Sequence, residues 1–234
     1  AMNGLILGLC LLLLFSRKWL SSYGTCKINV NNEKDIEVSG GNSLLLSLGM
    51  NKIFIPSACG GKGTCGYCKV KVLEGGGSVL ATEQMILTPQ EIKDHKRLSC
   101  QVRVRRNLVA HIPEEYLAIK EYQTELAKVE IMTDLIKKLT FKLIEPKVIS
   151  FKPGQYVQVS LQKPGEDPIY RGYSIANSPA ADHLIELNVR RVDKGIMSTY
   201  LHSLKEGDRL TMSGPFGDFF LQEKTNRSVI CIAG

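Results

Sequence analysis

At 234 residues the chain is long enough for two domains of ordinary size, each with its own core. With 44% hydrophobic and 23% charged residues it is globular in composition and not disordered. The net charge of +7 is spread as +2 over residues 1–23, +3 over residues 24–115 and +2 over the rest, so no basic stripe marks a nucleic-acid surface and no nucleic-acid partner is expected.

The N-terminus stands apart. Ala1 to Ser16 carries no charge, and Gly4–Phe15 is almost wholly aliphatic, followed at once by Arg17, Lys18 and Trp19. A signal peptide would place its charge before the apolar run and small residues after it, the reverse of this order. Leucine falls on every helical face, which argues against a half-buried core helix. Residues 1–22 therefore read as a membrane anchor helix in contact with lipid. A full span needs about 20 residues, so the run is short unless further residues precede it or Trp19 and Leu20 lie in the interface. The charge after the span puts residues 17 onward on the cytoplasmic side.

Two short strands follow, Cys26–Val30 and Asp35–Val38, turning at Asn31-Asn32. Ser43–Leu48 predicts a short helix capped by Asn42 or Ser43. Cys59–Cys68 is a glycine-rich loop, Lys69–Leu73 a strand, Gly75–Gly77 a flexible turn, and Thr88-Pro89 a helix start. Cys100–Val104 and Asn107–Ile112 predict two more strands. Around Pro113–Tyr116 the character changes, giving a domain boundary near residue 115. Downstream lie strands at Glu125–Met132, Leu139–Ile144, Tyr156–Leu161, Tyr173–Ala176, Ile185–Val192 and Arg209–Ser213, with one helix at Met197–Ser203. Their spacing predicts an antiparallel barrel. Ser228–Gly234 is an apolar strand that ends on glycine.

Seven cysteines lie at 10, 26, 59, 65, 68, 100 and 231, an odd number with one tight cluster, which favours metal ligation over a disulfide framework. Cys59-x5-Cys65-x2-Cys68 with a distant Cys100 supplies four thiolates, the number that completes two sulfide-bridged irons. Gly60, Gly61, Gly63 and Gly66 let the loop bend around the group and bring backbone N–H donors to the sulfurs. A structural zinc site is the alternative, but zinc sites usually pair two short knuckles and only one such pair is present. Cys10, Cys26 and Cys231 read as ordinary apolar residues.

The segment Ser57–Cys68 with Leu98-Ser99-Cys100-Gln101 resembles plant-type and adrenodoxin-like ferredoxin domains, and its x5 spacing that of adrenodoxin-like ferredoxins and membrane-bound ferredoxin–flavin reductases. The resemblance implies a β-grasp domain over residues 24–115, with Cys59, Cys65, Cys68 and Cys100 as ligands of a [2Fe–2S] cluster.

A second set of motifs runs Pro153-Gly154-Gln155-Tyr156, Arg171-Gly172-Tyr173-Ser174, Gly195-Ile196-Met197-Ser198 and Gly214-Pro215-Phe216-Gly217. In this order they resemble the ferredoxin–NADP reductase superfamily. That implies a six-stranded antiparallel FAD-binding β-barrel over residues 116–227. Arg171 would pair with the FAD pyrophosphate, Tyr173 stack on the isoalloxazine and Ser174 bond near its N5. Gly195, Met197 and Ser198 would present helix N-terminal N–H groups to the pyrophosphate. Gly214–Gly217 reads as a structural turn bordering the flavin pocket. Arg190 and Arg191 are left unassigned, and no residue is given a catalytic role.

Anchor, x5-x2 ferredoxin and Arg-x-Tyr-Ser flavin domain in that order resemble the F subunits of the Na⁺-translocating NADH:quinone oxidoreductases. The segment between Leu161 and Arg171 is short, where that family carries a long insertion. The family reading implies a mainly β, α+β chain with an N-terminal transmembrane helix, single-pass in a bacterial inner membrane with its soluble domains on the cytoplasmic side. It would pass electrons from NADH through FAD and the cluster to other membrane subunits of a respiratory complex. Residues 228–234 would then be the first strand of a truncated NAD-binding domain, leaving the NADH site outside the chain. Two other readings stay open: a reductase component of an oxygenase or a stand-alone membrane reductase, and a non-enzymatic electron relay with no hydride donor of its own.

Overall fold

The computed structural model describes residues 23–220 together with Ile6 and Gly8. The anchor predicted over 1–22 and the strand predicted over 228–234 lie outside these residues, apart from Ile6 and Gly8. Among the described residues no helix is long and apolar enough to cross a membrane. The chain divides into two compact units, the first ending at Ile119 and the second starting at Lys120.

The first unit is a five-stranded mixed sheet with short helices. Its elements are β1 (Thr25–Val30), β2 (Lys34–Ser39), α1 (Leu44–Met50), β3 (Lys69–Glu74), α2 (Ala81–Gln84), α3 (Pro89–Lys93), β4 (Lys96–Leu98), β5 (Leu108–His111) and α4 (Glu114–Leu117). The sheet order is β2-β1-β5-β3-β4. β1 and β5 run parallel, and the other pairs antiparallel. The β1–β2 hairpin turns where predicted, with Asn31 and Asn32 at φ 56 and 59, a conformation asparagine tolerates better than most residues. α1 starts as its cap predicts: Ser43 Oγ accepts from Leu46 N–H at 3.2 Å. Alternation along β1 buries Cys26, Ile28 and Val30 against Leu44 and Leu48 of α1, with Val70, Leu98 and Leu108 completing the core.

Cys100–Val104 is not the strand that its pattern predicts. The chain turns there, with Gln101 N–H and Val102 N–H both donating to Leu98 O, and the segment makes only an isolated bridge, Ser43 to Arg103. The short strand β4 lies just before it. The pattern misleads because Val102 and Val104 drop into the core while Arg103 stays out, a burial alternation of two without a ladder.

The second unit is a six-stranded, wholly antiparallel sheet that curls into a half-barrel. It comprises β6 (Lys120–Ile131), β7 (Ile136–Glu145), β8 (Tyr156–Leu161), β9 (Ile169–Ser174), β10 (Leu184–Arg190), α5 (Ile196–Ser203) and β11 (Arg209–Phe216). The order is β10-β7-β6-β11-β8-β9. The two end strands approach just past β9, where Ala176 N–H donates to Glu186 O at 2.8 Å and Asn177 Oδ1 accepts from Glu186 N–H at 2.9 Å. Leu126, Phe141, Val157, Val159, Ile185 and Leu187 fill the inside, joined by Met197 and Leu201 from α5. Gly214–Phe216, expected as a turn, closes β11 instead, and Phe216 stacks on Tyr156 with centroids 5.5 Å apart.

Candidate cluster and flavin sites

The loop from Ser57 to Cys68 is shaped by its glycines. Gly60, Gly61, Gly63 and Gly66 all take left-handed backbone, at φ 64, 84, 78 and 73. Ser57, fully buried, holds the loop's start: its carbonyl accepts from Gly60 N–H at 3.2 Å and its Oγ from Gly61 N–H at 3.0 Å. Cys100 arrives from the turn after β4, which is fastened to the loop by Ser99 N–H donating to Cys68 O at 2.9 Å.

The four thiols meet as two pairs. Cys65 Sγ lies 3.3 Å from Cys59 Sγ, and Cys68 Sγ 3.3 Å from Cys100 Sγ. Two thiolates on one tetrahedral metal, at bonds of about 2.3 Å, lie about 3.7 Å apart, so each pair is spaced to share one metal. Among the described residues no three His, Cys, Asp or Glu side chains gather as ligands of a single ion. The chemistry and the pairing fit a two-iron cluster held by Cys59 and Cys65 on one side and Cys68 and Cys100 on the other. The first pair is half-buried and the second buried, which gives the site an outer and an inner edge.

Within each pair one thiol is acidified at the other's expense. Burial works to raise the Cys59 thiol, but donors at Thr64 and Cys65 outweigh it and bring it down to about 6. Burial pushes Cys65 up. The hydrogen bond from Cys68 draws Cys100 down to about 7 against its burial, helped by the Gln101 amide and Gly63 N–H. Cys68 is pushed up by that same bond and by burial. The donors that favour thiolate at Cys59 and Cys100 are those a thiolate–iron site needs.

Four further side chains support this site, and their roles are not legible from the sequence. Gln101 Nε2 reaches Cys100 Sγ at 3.6 Å, and its Oε1 accepts from Thr82 Oγ1 at 3.1 Å. A Cβ on Gly63 would come within 2.6 Å of that amide nitrogen, so the glycine leaves room for it. Three residues ahead of Cys100 in the chain, buried Arg97 pairs with buried Glu83 at 2.7 Å. Arg97 also donates to the carbonyls of Gly76, Gly77 and Ser78, each at 3.0 Å, so it holds the triglycine turn in place.

In the second unit Arg171 and Tyr173 lie two residues apart on β9 and so share a face, opposite to Gly172 and Ser174. Tyr173 packs against the half-barrel core, and its burial raises the phenol while Arg171 pulls the other way. Arg171 Nη1 donates to Tyr170 O at 2.7 Å. Ser174 is exposed at the strand's end, beside Tyr156 across the β8–β9 ladder. The strands β9 and β10 run antiparallel away from the Ala176–Glu186 bond, so Arg171 lies toward the end of β10 that leads into α5.

Gly195 is the N-cap of α5, and no side chain caps that end. A Cβ there would meet Ser198 Oγ at 2.6 Å. The Ser198 hydroxyl is committed to the turn, accepting from Val192 N–H at 3.1 Å and donating to Gly195 O at 3.2 Å. Met197 points its side chain into the core. What Met197 and Ser198 offer a phosphate is therefore their backbone N–H, together with the positive end of the helix. An arginine fork, a half-buried tyrosine and an uncapped helix start within one half-barrel are a donor set that fits a flavin dinucleotide.

Known proteins match this arrangement. A 2Fe-2S iron-sulfur cluster binding domain model matches residues 27–105, and an oxidoreductase FAD-binding domain model matches residues 123–221. The chain is 36% identical over 269 residues to the F subunit of the Na(+)-translocating NADH-quinone reductase of Klebsiella pneumoniae, a match that covers 98% of the chain and 66% of that relative. It is 34% identical over 267 residues to the protein of the same name in Neisseria gonorrhoeae, with the same coverage. The chain thus spans about two thirds of the length of these relatives. Both alignments are longer than the chain itself, so the relatives carry residues between matched segments that it lacks. Among solved structures, an Amycolatopsis cytochrome P450 reductase, GcoB, superposes with a TM-score of 0.56 at 27% identity, covering 85% of this chain and 60% of that one. A ferredoxin reductase of carbazole 1,9a-dioxygenase has the same TM-score and identity, covering 87% of this chain and 64% of that one. With both domains present in the order that the motifs predict, and with this identity along nearly its whole length, the chain is similar throughout to the F subunits of the Na(+)-translocating NADH-quinone reductases.

Proposed function

We propose that this chain is the electron-transfer part of an NADH-dependent oxidoreductase, carrying electrons between an FAD on the half-barrel and a [2Fe–2S] cluster on the β-grasp unit. The observation that carries the reading is the convergence of Cys59, Cys65, Cys68 and Cys100 into two thiol pairs on a glycine loop, in a chain that also presents Arg171, Tyr173 and the start of α5. When bound, the flavin accepts a hydride's two electrons and the cluster takes them one at a time. The protein's own part is to hold both groups. Arg171 and the N–H groups of Met197 and Ser198 would balance phosphate charge, Tyr173 would cover a ring face, Ser174 would bond near the ring's N5, and the glycine loop would give the sulfurs their donors.

NADH as donor, other membrane subunits of a respiratory complex as acceptors, and residence in a bacterial inner membrane belong to the same proposal. They are supported by the names of the relatives and by the apolar run that ends at Arg17 and Lys18. A reductase feeding an oxygenase is the second reading, favoured by the likeness to the two solved reductases. The test is cofactor content. Anaerobically purified chain should hold about two irons and one FAD, with the EPR signal of one reduced [2Fe–2S] centre. Serine at Cys59, Cys65, Cys68 or Cys100 should abolish that signal, and serine at Cys26 should not. Stoichiometric zinc and a colourless protein would refute the cluster.

A further inference from the structure

The loop Arg103–Asn107 wraps the point where the chain enters its first unit. Arg103 Nη1 donates to Gly41 O at 3.2 Å, Val104 O accepts from Gly41 N–H at 2.7 Å, and Asn107 Oδ1 accepts from Lys27 N–H at 2.9 Å. The Arg105 guanidinium sits over the ring of Tyr23, 5.6 Å from its centroid. Tyr23 lies five residues after Lys18, which with Arg17 ends the apolar N-terminal run. The loop is thus held beside the root of residues 1–22 by its contacts to Tyr23, Lys27 and Gly41.

Arg103, Arg105 and Arg106 are all exposed, and with Gly75–Gly77 and Gln101 they line a cleft of about 190 Å³ that no carboxylate lines. Arg97 also borders the cleft, but Glu83 balances its charge. The nearby acid on the β1–β2 hairpin, Glu37, is engaged by Lys27 at 3.7 Å. Burial of Val102 and Val104 explains why Arg103 and Arg105 face outward. It does not require that both be arginine, nor that a third follow.

We propose that this loop rests on the membrane, with Arg103, Arg105 and Arg106 holding the phosphate headgroups of anionic lipid. The proposal rests on the reading of residues 1–22 as an anchor. A root fixed at the bilayer brings headgroups to whatever surface lies beside it, and here that surface is three guanidinium forks, the geometry that best matches phosphate oxygens. Attraction to an anionic leaflet accumulates with each arginine within a Debye length. Tyr23, with its apolar ring and polar tip, suits the interface.

The experiment uses the full chain in nanodiscs of phosphatidylcholine alone and of phosphatidylcholine with one third phosphatidylglycerol. Trypsin cleavage after Arg103, Arg105 and Arg106 is timed against cleavage after Lys147, an exposed residue of the second unit. The anionic lipid should slow the arginine cuts by about tenfold and leave Lys147 unchanged, and high salt should remove the difference. Equal arginine rates in the two discs, with the chain retained on both, would overturn the lipid contact and leave the anchor standing. Equal protection by inorganic phosphate in the neutral discs would make the cleft a free-anion site and also overturn it. A chain that does not stay on neutral discs would remove the anchor, and the proposal with it.

Discussion

The side-chain amide of Gln101 donates to Cys100 Sγ at 3.6 Å while its carbonyl is held by Thr82 Oγ1 at 3.1 Å, so a residue 19 positions away fixes the donor that faces the sulfur. Reduction adds negative charge to a cluster, and an N–H donor at one of its sulfurs stabilises the reduced form more than the oxidised one. Gln101→Leu should therefore lower the cluster's potential, on the order of a tenfold change in the reduction equilibrium, about 59 mV for a one-electron couple. Thr82→Val, which frees the amide without removing it, should shift it in the same direction by less. Iron content should not change in either variant. A redox titration followed by EPR reads the shift, and unchanged potentials would mean the amide serves packing alone.

The buried pair Arg97–Glu83 gives a stability prediction. Glu83 loses water on burial, yet Arg97 and the N–H groups of Leu80 and Leu98 hold its carboxyl below the usual range. A depressed carboxyl contributes stability above its unfolded value, near 4.3, and loses it as pH falls through the lower folded value. Glu83→Gln should cost about 3–5 kcal/mol at neutral pH, because it leaves Arg97 buried without a counter-charge. It should also flatten the loss of stability below about pH 4.3. Urea midpoints followed by cluster absorbance, which reports the first unit alone, measure both effects.

For the flavin, Arg171→Ala should weaken FAD binding by about 10- to 150-fold through loss of a charge-assisted pair, on the order of 1.5–3 kcal/mol. Ser198→Ala should also weaken it, although the hydroxyl is not a ligand, because it releases the Gly195–Ser198 turn that aims the N–H groups. Equilibrium dialysis of FAD separates the two. Full retention of FAD in an Arg171→Ala, Tyr173→Ala double variant would remove this site from consideration.

Much of this is legible because the chemistry is written in short spans. The x5-x2 cysteines and the glycines between them share one loop, and strands such as Tyr156–Leu161 declare themselves by apolar content. β9 is legible only in part, at Tyr173, because Ile169–Ser174 alternates aromatic, charged and glycine residues and carries no apolar stripe. The support network is not legible at all. Glu83 and Arg97 are charged residues of kinds almost always exposed, and only the fold brings them together across 14 positions. Gln101 belongs to a recognisable motif, but its role depends on Thr82, which nothing in the sequence links to it. Cys100–Val104 shows the converse error: alternating burial imitates a strand, but the backbone there turns to deliver a thiol.

The central claim is that electrons pass between the flavin and the cluster within this chain, and photoreduction of the bound FAD under anaerobic conditions tests it most directly. With the chain carrying both groups, the account predicts that the cluster's visible absorbance bleaches and its EPR signal grows as the flavin is reduced, and that a Cys100→Ser chain reduces its flavin with no such signal. A chain with full iron and FAD content whose flavin reduces completely while the cluster stays oxidised, at a potential that favours its reduction, would contradict the account.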